Sequence, residues 1–579
     1  MAIKTDPASV WKEFDDDKAY KVSKGFYKTW KECVDFKEGR HWKAPTAKTK
    51  CMPRIVINQC GFTIRNKKSN ILSQTLKLVY SPAEVPDGGD SSELIIASED
   101  YTDAAASVWE DLDQDSLNEC AVDSTLTKGT GIFHYYWDNS YKGGQFTNYI
   151  GRIKGQTIKP TDICFGNPTL KPYQTQDQPF IIIRNSDRDV DELKERSKKN
   201  GENWQMIVPD EQKTGTDIDN ETAKNANTTT SYTKYYRKDG QIYWTEITAT
   251  SVVQKPRTLS PTQETAETVK PFTIYPVEVL VFDEIDDCVY GRSAIQDIIT
   301  INKAINWIYG MIMLGVQGNA WPKILAKMGA LLQAVTNEPG EIITDHYQPG
   351  GVDGIKYMQP PNFSNAPPAL AEKLYDLSRQ TTGTTEVNTG EVIGANMAAS
   401  AIIALQNQAQ KPNQADQNRL FRSDKNIGRI LEEFFKIYYN TPRPIASKDA
   451  EDKDITKKFL GTAHKDKSFN LKIDVSPTTT MTEPLTMAIL KEMADRTWID
   501  KYQFTKYSPS NAMPSGMKHD FEVEQEKMMK QQAAQAAAID SAKASLTPVE
   551  QAELGANPQL MEQAMASTGM GGGQNPMSL

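Results

Sequence analysis

Five histidines, six cysteines and two runs of adjacent carboxylates are the residues of this 579-residue chain best suited to chemistry, and their spacing argues against most of it. His41, His134, His346, His464 and His519 are scattered, with no H-E-x-x-H pair to place two imidazoles one helical turn apart on a metal. Each is read as a packed or surface imidazole. Cys33, Cys51, Cys60, Cys120, Cys164 and Cys288 include no C-x-x-C pair. They are expected to be reduced, mostly buried thiols. Asp15-Asp16-Asp17 and Asp286-Asp287 are neighbours that cannot converge on one point of a helix, so they read as solvated faces. Gly129-Thr130-Gly131 is followed by Ile132 and Phe133, where a phosphate loop needs lysine. That glycine pair is expected to end a helix before a strand. No G-x-S-x-G elbow is present. No catalytic, metal or cofactor site is therefore predicted, and a non-enzymatic role is expected.

Composition narrows the classes further. Lys plus Arg is 66 and Asp plus Glu is 75, a formal charge of −9. A pI near 5.4 gives no overall electrostatic footprint for clamping nucleic acid. Hydrophobic residues are 38% of the chain and mean hydropathy is −0.57, so much of the surface stays wet or unpacked. The greasiest run, Ile305 to Val316, is 12 residues and contains Asn306, whereas a membrane span needs roughly 20. The first residues read "FDDD" where a signal peptide would be apolar. A soluble protein made in the cytoplasm, with no membrane partner, is the expectation.

The elements that would position any site follow from periodicity. Asp6 to Trp42 reads as a packed helix pair, with Asp6 as cap and Pro7 in the first turn. Ile55–Ser73 and Glu93–Lys128 are also helical, and Arg65, Lys67 and Lys68 read as a solvated basic face. Gly131–Asp138, Phe146–Gly155 and Phe180–Asn185 read as strands. Tyr232–Thr248 is a hairpin turning at Asp239-Gly240. Asp210 to Thr230 is almost free of apolar residues and is expected to be a mobile insertion. Helix resumes from Gly291 to Val316. Short strand-like pieces follow over residues 319–360: "WPKILAK", "GEIIT" and "GIKYMQPP". Next come a helix near Ala366–Gln380, a Thr/Gly loop, and one long helix from Ala395 to Tyr439 with a bend at Pro412. Its amides (among them Gln406, Asn413, Gln414, Gln417 and Asn418) suit wet faces toward neighbouring subunits or a channel. Ser468–Pro477 reads as a strand, Leu485–Leu546 as largely helical, and 547–579 as disordered.

This order, with "YPVEVLVFDEIDDCVYGRSAIQDIITINKAIN" (Tyr275–Asn306), "RQTTGTTEVNTGEVIGANMAASAIIALQNQAQ" (Arg379–Gln410) and "LFRSDKNIGRILEEFFKIYY" (Leu420–Tyr439), resembles the portal proteins of tailed bacteriophages. The resemblance runs in order over most of the chain, roughly Trp11 to Ala538, through loose motifs: a "YG-x-S" turn, and a "TG…G…A(S)AI…L" stretch. It implies an α+β portal fold, with a mainly helical wing, stem and crown, a small α/β clip and β-rich wing segments. The implied divisions are a wing over 1–290 with the insertion near 210–230, a first stem helix over 291–318, a clip over 319–361 and a second stem helix over 362–380. A tunnel loop over 381–396, a long wing helix and return strand over 397–480, a crown over 481–546 and a tail over 547–579 complete it.

The resemblance also implies a role. The chain would form a ring, usually of twelve, at one capsid vertex of the virion after assembly in the host cytoplasm. Double-stranded DNA would pass through it during packaging and ejection. Partners would be the terminase large subunit, the major capsid and scaffolding proteins, and the head–tail adaptor or tail proteins. The tunnel-loop candidates are Gly383, Thr384, Thr385, Glu386, Asn388, Gly390, Glu391 and Gly394, and the clip candidates are Trp321, Lys323 and Lys327. Twelve copies at −9 give −108, a conduit that repels phosphate and lets the duplex slide. Two other readings compete. A packaging motor or nuclease lacks its phosphate loop here. Another internal virion or capsid structural protein is disfavoured by the helix–insert–helix–loop–long-helix order.

Overall fold

The computed structural model describes residues 4–46, 52–83, 91–144, 148–210, 213–214, 222–223, 227–260, 272–320, 324–326, 355–357, 366–383, 399–448, 454–476, 490–494, 496 and 504. The chain divides after Ser476 into two units, Met1–Ser476 and Pro477–Leu579. In the second, residues 490–494 are helical; the expected tail lies outside the described residues. The first unit is α+β, with antiparallel sheets among its helices.

Helix α1 (Pro7–Ser23) starts where its residue types direct: the Asp6 carboxylate accepts the Ser9 amide at 3.0 Å. Lys24-Gly25 ends it, and Gly25 at φ +77 opens α2 (Phe26–Lys37). Helix α3 is Gln59–Ile71, beginning four residues later than periodicity suggested, because Asn58 caps it through the Gly61 amide. Strand β1 (Thr75–Pro82) was not legible in the sequence. Glu93–Lys128 resolves into α4 (Ser91–Asp111) and α5 (Gln114–Lys128), broken at Asp113 with φ +49.

Strands β2 (Gly131–Gly143), β3 (Tyr149–Ile158), β4 (Ile163–Phe165) and β5 (Phe180–Asp189) lead to α6 (Val190–Lys199). The short pair β6 (Lys213–Thr214) and β7 (Thr222–Ala223) precedes β8 (Thr228–Lys238), β9 (Gln241–Thr248), β10 (Val252–Thr258) and β11 (Val277–Leu280). A five-stranded sheet runs β10-β9-β8-β5-β4 and a three-stranded one β11-β2-β3. The β8–β9 turn is the one foreseen: Asp239 and Gly240 take φ +53 and +76, with Lys238 opposite Gln241. The expected insertion is fastened at both ends. The Asp210 carboxylate accepts from the Thr229 hydroxyl (3.0 Å) and from the Thr230 amide and hydroxyl (2.9 and 2.7 Å), and β8 starts at Thr228.

Helix α7 (Ile298–Ala320) and strand β12 (Ile324–Ala326) are followed by β13 (Ile355–Tyr357) and α8 (Ala366–Thr382). Helix α9 (Ala399–Tyr438) is continuous through Pro412. A hairpin, β14 (Arg443–Lys448) with β15 (Asp454–Phe459), and β16 (Phe469–Ser476) complete the unit. β16 pairs with β1 over eight residues, Thr75 opposite Ser476, so the unit closes on itself. The C-terminal half of α9 lays a helical stripe (Leu420, Ile427, Leu431, Phe434 and Tyr438) into the core. Phe434 meets Phe272 edge-on at 4.8 Å, and Tyr438 stacks on Trp137 at 4.7 Å. Arg443 lies 4.1 Å over the Tyr439 ring and donates to the Gly151 carbonyl at 2.8 Å, which supplies a partner for a buried cation.

That core also holds polar groups. Tyr135 donates to Gln114 (2.8 Å), which donates to Asn118 (2.9 Å), and Asn118 bonds the buried Asp424 carboxyl. Nearby, Asn426 donates to buried Glu278 at 2.9 Å. Burial pushes both carboxyls up to about 8, and Asp424 adds to the rise at Glu278.

Candidate functional site

The segment from Tyr290 to Thr382 is the part of the fold with the most to position, and its mount is local. Tyr290 is fully buried among Phe26, Trp30 and Phe165. Gly291 then passes so close to Gly129 that a Cβ on either would lie 2.1–2.5 Å from the other's carbonyl oxygen. The Gly291 amide donates to the Thr130 hydroxyl (3.1 Å), while the Ser293 hydroxyl and the Ala294 amide donate to the Leu126 carbonyl (3.0 and 3.1 Å). Tyr290-Gly291-Arg292-Ser293 is thus a clamp onto the C-terminal end of α5, where Gly129 takes φ +86. This corrects the expectation of helix from Gly291: its backbone is committed to α5, and α7 begins at Ile298. Gly129-Thr130-Gly131 does end a helix before a strand, as read from sequence.

Two asparagines fasten the first half of α7. Asn302 accepts the Gln59 and Cys60 amides (3.1 and 3.2 Å) and donates to the Ile57 carbonyl (2.8 Å). Asn306 accepts the Ile57 amide at 2.8 Å and its amide meets His41 Nδ1 at 2.7 Å. Both side chains are buried, so the free first-turn amides of α3 are satisfied by α7. In the sequence Asn306 interrupts an apolar helical run, and an amide in such a run is the signal for an anchor of this kind.

Beyond that anchor the helix leaves the core. Helices α7 and α8 pack side by side, yet Trp307, Met311, Met313, Val316, Leu370 and Leu377 remain exposed, at 42–58%. By length and composition Ile298–Gln317 could cross a membrane, which corrects the shorter run counted from sequence. Its first half, however, is bonded to the protein through Asn302 and Asn306. The 14 residues beyond Asn306, Trp307 to Ala320, span only about 21 Å, short of the roughly 30 Å of a bilayer core.

Between the two helices, β12 pairs antiparallel with β13, with Ile324 opposite Tyr357 and Ala326 opposite Ile355. The ends of the insert are thereby held together. Two of the three expected strand pieces are placed; "GEIIT" lies outside the described residues, as do Trp321, Lys323 and Lys327. On the far side α8 runs on through Thr382, whose hydroxyl donates to the Ser378 carbonyl at 3.0 Å. Gly383 follows at φ +67, a left-handed position that favours glycine. The other loop candidates, Thr384, Thr385, Glu386, Asn388, Gly390, Glu391 and Gly394, lie outside the described residues.

The amide-rich α9 is used in part within the subunit. Gln417 donates to the Asn70 carbonyl at 2.7 Å, at the end of α3, and Asn413 is buried, whereas Gln414 and Asn418 stay exposed. The wet-face expectation is therefore corrected for Gln417 and Asn413.

The described histidines do not meet. His41 stacks on Phe36, His134 is buried against the Tyr235 hydroxyl (3.0 Å), and His464 sits beside Tyr101. Desolvation drives His134 down to about 3, so it is neutral. Among the described residues no group of three or more His, Cys, Asp or Glu could hold a metal ion. Of the five described cysteines, four are buried and Cys120 is exposed.

No family model matches this chain, and no curated protein matches it.

Proposed function

We propose that this chain is a portal protein: a subunit of a ring at one capsid vertex, a conduit for double-stranded DNA, and a docking platform for the terminase motor and then the tail adaptor. The observation that carries the reading is the order α7–β12–β13–α8–α9. Two helices pack side by side, stand partly clear of the core and expose large apolar side chains, with an insert stitched at its base by a short ladder. An exposed apolar face of this kind marks an interaction surface. Neighbouring subunits of a ring would cover it, because a head-to-tail contact repeated by rotation closes on itself. The anchoring of α7 supports a stem helix rather than a membrane span. The net charge of −9 supports a channel that does not grip phosphate.

The segment between α8 and α9 gives the functional test. Residues 384–394 carry Glu386 and Glu391 and no Lys or Arg, so a ring would present rows of carboxylates to the duplex. Deleting Thr384–Val392 is expected to leave ring assembly intact and to reduce packaging or retention of DNA. Changing Glu386→Lys with Glu391→Lys is expected to slow DNA passage, and the slowing should shrink as salt screens the attraction. An in vitro packaging assay with nuclease protection reads both. Parent-like packaging by both variants would remove the loop from the translocation path.

A further inference from the structure

A cleft of about 300 Å³ opens where α2, α5 and the β2–β3 pair meet. That is the lower end of the range for small-ligand sites. One face of α5 lines it at helical spacing, with Cys120, Asp123, Ser124, Thr127 and Lys128. Lys37 and Glu38 enter from the end of α2, and Lys159 from the residue after β3.

The charges in this cleft do not cancel. Lys37 is paired with Asp123, and Glu38 is held by Arg40. The side-chain ammonium groups of Lys128 and Lys159 make no hydrogen bond or ion pair among the described residues; the nearby carboxylate of Asp162 is engaged by Arg184 at 2.7 Å. A hydroxyl is unspent as well. Thr125 donates to the Ala121 carbonyl at 2.7 Å in the usual helical manner, but Thr127 Oγ1, 97% buried by residue, has no hydrogen-bond partner among the described residues. Complementing a helix carbonyl end accounts for Lys37 and Lys128, each in a last turn. It does not account for Lys159, which lies on neither helix, nor for the orphaned hydroxyl.

From the unpaired Lys128 and Lys159 side chains lining one cleft with Thr127, whose buried hydroxyl is orphaned, we infer a binding site for the phosphoryl group of a small ligand. Two compact ammonium charges match a phosphate dianion as point charges, and its several oxygens can take the hydroxyl as a further donor. The cleft leaves room for the sugar or other small group that carries the phosphate. Lys128 is already held below the usual lysine range, by burial first and by Lys159 next, so a bound dianion would relieve a standing repulsion. The site is independent of the portal reading.

The test is calorimetric titration of the full chain with inorganic phosphate and, in a second arm, ribose 5-phosphate, at constant ionic strength. Saturable binding is expected, weakened tenfold or more by Lys159→Met and by Lys128→Met, and less by Thr127→Val. Lys12→Met, on the exposed side of α1, should bind like the parent. Lys159 is exposed, so its variant keeps the test valid if Lys128→Met fails to fold. Tighter binding of the sugar phosphate would identify it as the source of the phosphoryl group. No saturable binding, binding unchanged in Lys159→Met, or equal loss in Lys12→Met would each overturn the site.

Discussion

Gly129→Ala is expected to be among the most damaging single substitutions in the chain, costing on the order of 4 kcal/mol. Two costs coincide there. The residue holds φ +86, which an L side chain adopts at about 1–2 kcal/mol. Its new Cβ would also sit 2.1 Å from the Gly291 carbonyl oxygen and 2.9 Å from the Arg292 carbonyl carbon. Both atoms are backbone in the Tyr290–Ser293 clamp, so relief would require the mount of α7 to move, and overpacking of that kind adds about 1–3 kcal/mol. Gly240→Ala is the control. It shares a positive φ (+76) but nothing lies within 4 Å, so only the backbone cost of about 1–2 kcal/mol applies. Urea unfolding of the two variants measures the difference. A Gly129→Ala protein as stable as Gly240→Ala would show that the clamp is loose.

Stability should also fall as pH rises, through Glu278 and Asp424. Both are raised to about 8 in the folded protein, from ordinary carboxylate values near 4. The folded state therefore holds protons that the unfolded state releases. Their contribution is fully present below about pH 4 and is lost as pH climbs through about 8. Asp17 and Asp416 are also raised and act in the same sense, whereas His41, His134 and His464 are lowered and act oppositely. The difference between parent and a Glu278→Gln, Asp424→Asn double variant isolates the pair. That variant should lose the decline between about pH 5 and 8 and gain on the order of 3 kcal/mol or more at pH 8. Chemical denaturation across that range reads it. An unchanged slope in the double variant would mean that both carboxyls ionise freely where they sit.

Local chemistry was legible and distant pairing was not. Asp6, Asp239-Gly240 and the alternation of Ser468–Pro477 each encode an element within a few residues, and each forms where it was read. β1 is different: its partner is β16, so Thr75 meets Ser476 and no local window contains both halves of the pattern. The β14–β15 hairpin was hidden by the lysines of "ITKKF", which suit a strand with one wet face. α7 starts seven residues later than composition suggests, because Gly291–Asp297 has helical composition while its polar groups are taken by Leu126 and Thr130. Of the site itself, the helix–strand–strand–helix frame was legible. The clamp on α5 and the Asn302 and Asn306 anchors were not, since each joins segments 160 or more residues apart. Lys128 and Lys159 carried no motif; their meeting depends on the β2–β3 pairing beside α5.

The central claim is that the exposed face of α7 and α8 is covered by the next copy of the chain in a closed ring. Native mass spectrometry of the purified full-length protein tests it most directly. At 64.7 kDa per chain, twelve copies give a species near 776 kDa, and electron micrographs in projection should show rings. A stable monomer or dimer at micromolar concentration would contradict the account.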